Sequence, residues 1–417
     1  MYNSTSKTYK MKRKIITFSN KISLDLHKPQ RKFFADMTYG ILASNSCLLT
    51  DITDQLHETS KKVNIVERLA NQLSKGIYEK SSKKYLKWVK SITPDYPTIH
   101  IDDTDIVKPD GYKFEALGLV RDGSASASAK NVYSKGYHVT EAVALTENGN
   151  PISIYSTIHS SAEKEYKSIN THTFSAIETG VSLYGKATFV MDRGYDGNKT
   201  FNRLNDLNQD YIIRITKKRK LFYRNKWVTS TELCNRRKGK IKLPLFYRGK
   251  EQTAYISHIK SQITASRNHV TLVLVYGITE HPMMLVTNKD IKAKEDVIQV
   301  AKKYFSRWRI EEYFRCKKQQ FGFENFRVRK LKAINALNFH LTICMSFLAL
   351  MAEQSETNCL KVMIMKKANA IRQKVFFTYY RLAKGIKGML AYAHEGIRRW
   401  YKTKRSKYRQ QVLKLTA

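Results

Sequence analysis

Three widely spaced acids carry the chemistry open to this chain. Asp102 and Asp103 follow the β-branched run Thr98-Ile99-His100-Ile101, and Asp192 follows the apolar run Ala187-Thr188-Phe189-Val190-Met191. Glu311 stands far downstream, in a stretch with neither Pro nor Gly between Asp290 and Gly322. The first two sites read as strand ends and the third as helix. Carboxylates at adjacent strand ends, with a helix packed across the sheet, converge on one point. Three so close repel one another unless a divalent cation sits among them. Hard oxygen ligands suit Mg²⁺, with Mn²⁺ as a substitute. Two such ions about 3.5–4 Å apart activate water and stabilise the leaving oxygen in a phosphodiester displacement. Each Asp taken alone is equally an ordinary strand-end turn residue.

The segment around Glu311 is unusual in its own right. With Tyr304 at zero and a step of about 100° per residue, Arg307 falls at roughly −60°, Glu311 at roughly −20° and Lys318 at roughly −40°. A phenol, a guanidinium, a carboxylate and an ammonium are thus expected on one helical stripe, flanked by Phe305, Trp308 and Phe314. On spacing alone this also fits a salt-bridged surface helix with Arg307 and Glu311 as an i,i+4 pair.

The spacing Tyr304, Arg307, Glu311, Lys318, with the wording Arg307-Trp308-Arg309-Ile310-Glu311-Glu312, resembles the Tyr-Arg-Glu-Lys signature of DDE transposases from bacterial insertion sequences. Asp192-Arg193-Gly194-Tyr195-Asp196 resembles that family's second acidic motif, and Asp102-Asp103-Thr104 its first. The resemblance implies a ribonuclease-H-like α/β core, a mixed sheet with helices, over roughly residues 98–330. The 119 residues from Asp192 to Glu311 leave room for a β-rich insertion. It implies catalytic and metal-ligand roles for Asp103, Asp192 and Glu311, with Asp102 as the alternative first acid. Neighbours on a strand point to opposite faces, so only one of the doublet should reach the site. It further implies DNA contacts from Tyr304, Arg307 and Lys318, use of two Mg²⁺ ions, and cut-and-paste transposition. Inverted-repeat ends and target DNA would be held by a homodimer in a synaptic complex. The rival readings are a nuclease of the same fold that does not join strands, and a non-catalytic DNA-binding derivative.

Composition agrees with a polyanionic partner. The 417 residues carry 75 Lys and Arg against 35 Asp and Glu, a formal charge of +40 spread along the chain. The five cysteines form no CxxC pair, which argues against a disulfide framework or a structural zinc and fits a reducing cytoplasm. Met1 to Lys14 lacks the apolar run of a secretory signal. Ala333 to Ala352 is apolar but carries Asn335, Asn338 and His340, and reads as a buried core helix with no membrane role.

The expected organisation is a helical region at 1–96, a candidate DNA-end binder. The first part of the core follows at 97–209, the β-rich insertion at 210–281, and the rest of the core at 282–330. A basic helical region at 331–417 closes the chain.

Overall fold

The computed structural model describes residues 2–123, 125–126, 131–247, 250–368 and 377–401. Five helices come first: α1 (Tyr2–Ser23), α2 (Lys28–Ser44), α3 (Leu49–Leu56), α4 (Lys62–Leu73) and α5 (Glu79–Lys90). The chain then enters a sheet. Strands β1 (Thr98–Val107), β2 (Gly118–Arg121), β3 (Tyr133–Leu145) and β4 (Pro151–His159) precede α6 (Ile169–Tyr184). Next come β5 (Thr188–Met191), α7 (Asn198–Asp206) and β6 (Asp210–Arg214).

β1, β3 and β4 pair antiparallel, while β1, β5 and β6 run parallel, in the order β4-β3-β1-β5-β6. This is the mixed sheet of a ribonuclease-H-like core. The order sets the first half of β1 between β3 and β5, so a side chain there meets groups from either flank. β3 makes one unusually close approach: a Cβ on Gly136 would lie 2.2 Å from the Ile106 carbonyl oxygen on β1 and 2.4 Å from Val120 of β2. Backbone cannot yield as a flexible side chain does. Gly136→Ala should therefore destabilise the protein by about 2–3 kcal/mol. A urea midpoint equal to the parent's would contradict that.

The strands that follow extend the same sheet. They are β7 (Lys220–Tyr223), β8 (Lys226–Thr229), β9 (Ile241–Tyr247), β10 (Lys250–Ile263), β11 (His269–Tyr276) and β12 (Met283–Thr287), with α8 (Ser230–Asn235) between β8 and β9. β12 pairs antiparallel with β6, and β11 and β10 continue outward. The chain thus leaves the core on β6 and re-enters on its neighbour, β12. Leu243, Ala254 and Ile256 from this extension share a second apolar core with Val297, Val300, Ala301 and Tyr304.

Those last residues belong to α9 (Lys294–Phe305), which is followed by α10 (Trp308–Arg315) and a π-helical turn, Cys316–Gln320. The sequence predicts one continuous helix here. The structure breaks it at Ser306-Arg307 and widens it after Arg315, so steps of 100° do not carry the phase from Tyr304 to Lys318. α11 (Leu331–Ala352), α12 (Cys359–Lys367), α13 (Tyr379–Leu390) and α14 (Arg398–Tyr401) complete the described chain; residues 402–417, with the basic tail beyond α14, lie outside it.

α11 is long and apolar enough to cross a membrane, but most of it is buried inside the protein. Its partners explain its composition. Phe339 and His340 pack on Phe34 of α2, and Phe347 packs on Phe18 of α1. Asn335 pairs in both directions with the backbone of Ile158 on β4. The N-terminal helices therefore share one core with α11 and α13.

Candidate active site

The parallel register of β1 and β5 sets the second acid beside the first. Ile101 pairs with Met191, so the next residues, Asp102 within β1 and Asp192 just past the end of β5, stand side by side. Asp192 turns directly into a short 3₁₀ turn, Arg193–Tyr195, whose Gly194 amide donates to Asp192 Oδ1 at 2.6 Å. On β1 the doublet splits between the two faces of the sheet. Asp102 faces α10 on the same side as His100, whose Nε2 lies 3.0 Å from Ser306 Oγ at the helix break. Asp103 faces the other way. Its carboxylate accepts from the Thr140 hydroxyl at 2.6 Å and the Tyr195 hydroxyl at 2.7 Å.

Arg307, at the start of α10, connects Asp102 to Glu311. Its Nη1 donates to Asp102 Oδ2 at 2.8 Å and its Nη2 to Glu311 Oε1. Burial pushes the Asp102 carboxyl up to about 7; Arg307 opposes the shift, and Asp192, Asp103 and Glu311 add to it. Asp102, Asp103, Asp192 and Glu311 are thus electrostatically coupled. Burial alone would lower the Arg307 pKa, but Asp102 and Glu311 outweigh it and hold the guanidinium more firmly charged than usual. Asp103 is also raised by burial, partly offset by its bonds from Thr140 and Tyr195. Through Tyr195 it braces the turn that carries Asp192.

Among the described residues, no three His, Cys, Asp or Glu side chains are placed to share an ion as they stand. The donor chemistry nevertheless fits a hard divalent cation: the carboxylates supply only oxygen, and two of them already share one cationic group, Arg307. Withdrawal of that guanidinium from between Asp102 and Glu311 is the movement an ion would require.

The other signature residues do not gather at one point. Tyr304 is buried near Arg307, Arg214 and Asp192; burial raises its phenol, and the two arginines oppose that shift. Lys318 lies farther along β1, donating to the Asp105 carbonyl and pairing with Glu324 at 3.0 Å. Of the histidines on these strands, His100 is buried and His138 pairs with Asp105 at 2.7 Å. Trp227 is part-exposed on β8 and packs on Phe222 of β7. The arrangement also contains a buried pair absent from the sequence reading, Glu141 with Lys317. A lone charged residue in the run Val139 to Leu145 is its only signal.

Residues 93–347, more than half of the chain, match the family described as transposase DDE domain. No curated protein matches the chain. Among solved structures, the chain aligns with the piggyBac transposase synaptic complex with hairpin DNA at 10% identity and a TM-score of 0.42, covering 96% of this chain and 81% of that one. It also aligns with the NurA nuclease from Sulfolobus solfataricus at 10% identity and a TM-score of 0.27, covering 71% of this chain and 97% of that one.

Proposed function

The chain belongs to the transposase DDE domain family, and from that premise we propose that it is a cut-and-paste DNA transposase of the Tyr-Arg-Glu-Lys group of bacterial insertion sequences. The observation that carries this reading is the bridge that one half-buried cation, Arg307, makes between Asp102 and Glu311, with Asp192 beside Asp102.

Transposase DDE domains generally use divalent metal ions. Here Asp102, Asp192 and Glu311 would hold Mg²⁺, as one or two ions, with Asp102 rather than Asp103 as the first ligand. The bound ions would supply an activated water and neutralise the leaving 3′ oxygen. Asp103 is then a positioning residue, acting through Tyr195 on the Asp192 turn. Arg307, once released from the carboxylates, is a bidentate donor for a phosphate of the cut end. Tyr304 and Arg214 line the approach to Asp192, and Lys318 contacts the DNA backbone farther along β1. The formal charge of +40 suits a protein that holds inverted-repeat ends and target DNA together, as a dimer, in the cytoplasm.

The test is direct. With Mg²⁺, the protein should nick DNA at the 3′ end of its own element and join a pre-cut end into a plasmid. Cleavage without joining would favour a nuclease of the same fold. Binding of the ends without metal-dependent cleavage would leave only a DNA-binding protein.

The acids also predict a pH dependence. Asp102 titrates at about 7 in the folded chain, above an ordinary carboxyl, so it binds a proton more tightly folded than unfolded. Its ionisation therefore costs the metal-free fold stability as pH rises from about 4 to 7. An ion must displace that proton. Mn²⁺ affinity should rise about tenfold per pH unit up to about 7 and level off above it. A flat affinity from pH 5 to 8 in a titration followed by paramagnetic resonance would remove Asp102 from the ligand set.

A further inference from the structure

The two lysines that end the signature helix take different directions. Lys318 goes to the rim, whereas Lys317 is 1% exposed and enters the protein. Its ammonium donates to Glu141 Oε2 at 2.9 Å and to Asn338 Oδ1 on α11 at 2.8 Å. Glu141 is fully buried on β3, directly across from Asp102 in the β1–β3 register and on the same face of the sheet. Ser156 of β4, Glu141's partner on the other side, donates to the same carboxylate oxygen at 2.8 Å and accepts from Asn338 at 2.7 Å. The second oxygen, Oε1, has no hydrogen-bond partner among the described residues, so Lys317 alone balances the charge. One residue beyond Glu141 the β3–β4 register shifts between Ala142 and Val143. A register shift of this kind re-aims a side chain.

Such a ring of directional bonds in a buried site is satisfied at only one placement of the helix. Apolar packing would let α10 slide. A buried ion pair is a poor source of net stability, since well-packed apolar residues often replace it without loss. A role in fixing placement accounts better for its presence. The π turn supports this, because it is a costly local form found mostly where function needs it. Here it delivers Lys317 inward within two turns of Glu311.

We infer that the Lys317–Glu141 pair positions the active site: it fixes α10 over β1 and β3, and so sets where Glu311 stands relative to Asp102 when a divalent ion takes the place of Arg307 between them. Lys317 is a positioning residue and touches no reacting atom. This rests on the proposed metal role of Asp102 and Glu311.

The experiment measures Mn²⁺ binding to the full chain without DNA, together with thermal melting. Lys317→Met combined with Glu141→Leu removes both charges and leaves none unpaired. It should fold and melt within a few degrees of the parent, yet bind Mn²⁺ about 10–100-fold more weakly, the usual effect of losing support behind a ligand. A folded double variant with parental affinity overturns the inference. If the double variant does not fold, Asn338→Ala takes its place, removing one acceptor from the ammonium while leaving the pair. A severalfold loss is expected there, and parental affinity overturns the inference. Glu311→Gln is measured alongside. If it binds Mn²⁺ like the parent, the metal reading itself has failed; if it loses binding while the positioning variants keep it, only the positioning inference falls.

Discussion

Asp102→Asn should end Mg²⁺-dependent cleavage of end DNA, whereas Asp103→Asn should leave a measurable rate. A carboxylate that holds the reactive cation should matter at least as much as one donor of an oxyanion hole, which is worth about 10²–10³ in rate. The Asn side chain keeps the shape and much of the hydrogen bonding, so binding of the ends should survive. Asp103 lies on the opposite face, and Thr140 and Tyr195 donate to its two separate oxygens, so an Asn there keeps an acceptor for only one of them. Its replacement loosens the Asp192 turn and should cost about tenfold. Single-turnover cleavage of labelled end DNA compares the two. Loss at Asp103 with activity kept at Asp102 would reverse the assignment of the doublet.

Arg307→Ala produces the second large effect, and it appears before any DNA is added. The variant leaves the buried Asp102 without its cation and Glu311 without its partner. With the Arg307 and Asp102 side chains each 18% exposed, the cost at pH 8 should be about 2 kcal/mol, below that of a fully buried pair. At pH 5.5 Asp102 is largely protonated in the folded chain, so the cost should shrink. An added divalent ion takes over the balancing charge. Mg²⁺ should therefore raise the melting temperature of Arg307→Ala more than that of the parent, since ligand stabilisation grows with affinity. Equal Mg²⁺ shifts for the two proteins, or a cost unchanged between pH 8 and 5.5, would show that Arg307 does not occupy the ion's place.

Much of the core was legible along the chain, because its strands are bounded by strong local signals. The apolar run before Asp192 is a strand as expected, and the segment 210–281 is rich in strands. β1 was cut short: it runs on through both acids to Val107 because β3 pairs with it along that length. β2, β7 and β8, at four residues each, are too short to leave a period. The choice between Asp102 and Asp103 turns on which face of β1 meets α10, a tertiary fact that alternation does not contain. The single stripe of signature residues failed for a related reason. Helical phase survives only while the helix does, and this one breaks at Ser306-Arg307 and widens at Cys316. Glu141 and Lys317, 176 residues apart, carry no mutual signal that a linear reading could detect.

The return of the chain on β12, beside the β6 strand on which it left, has two opposed consequences. By connectivity the extension is dispensable: Arg214 faces Leu285 across the ladder, and a short turn between them would make an ordinary hairpin. Insertions or losses out there need not alter the path from Asp192 to Glu311. By packing it is indispensable, since Leu243, Ala254 and Ile256 lie under Val297, Val300 and Tyr304. Trimming it would expose the underside of α9 and free the helix that leads to Arg307 and Glu311. Natural variation in this region should therefore be wide in length and sequence at its outer strands and narrow in side-chain volume beneath α9.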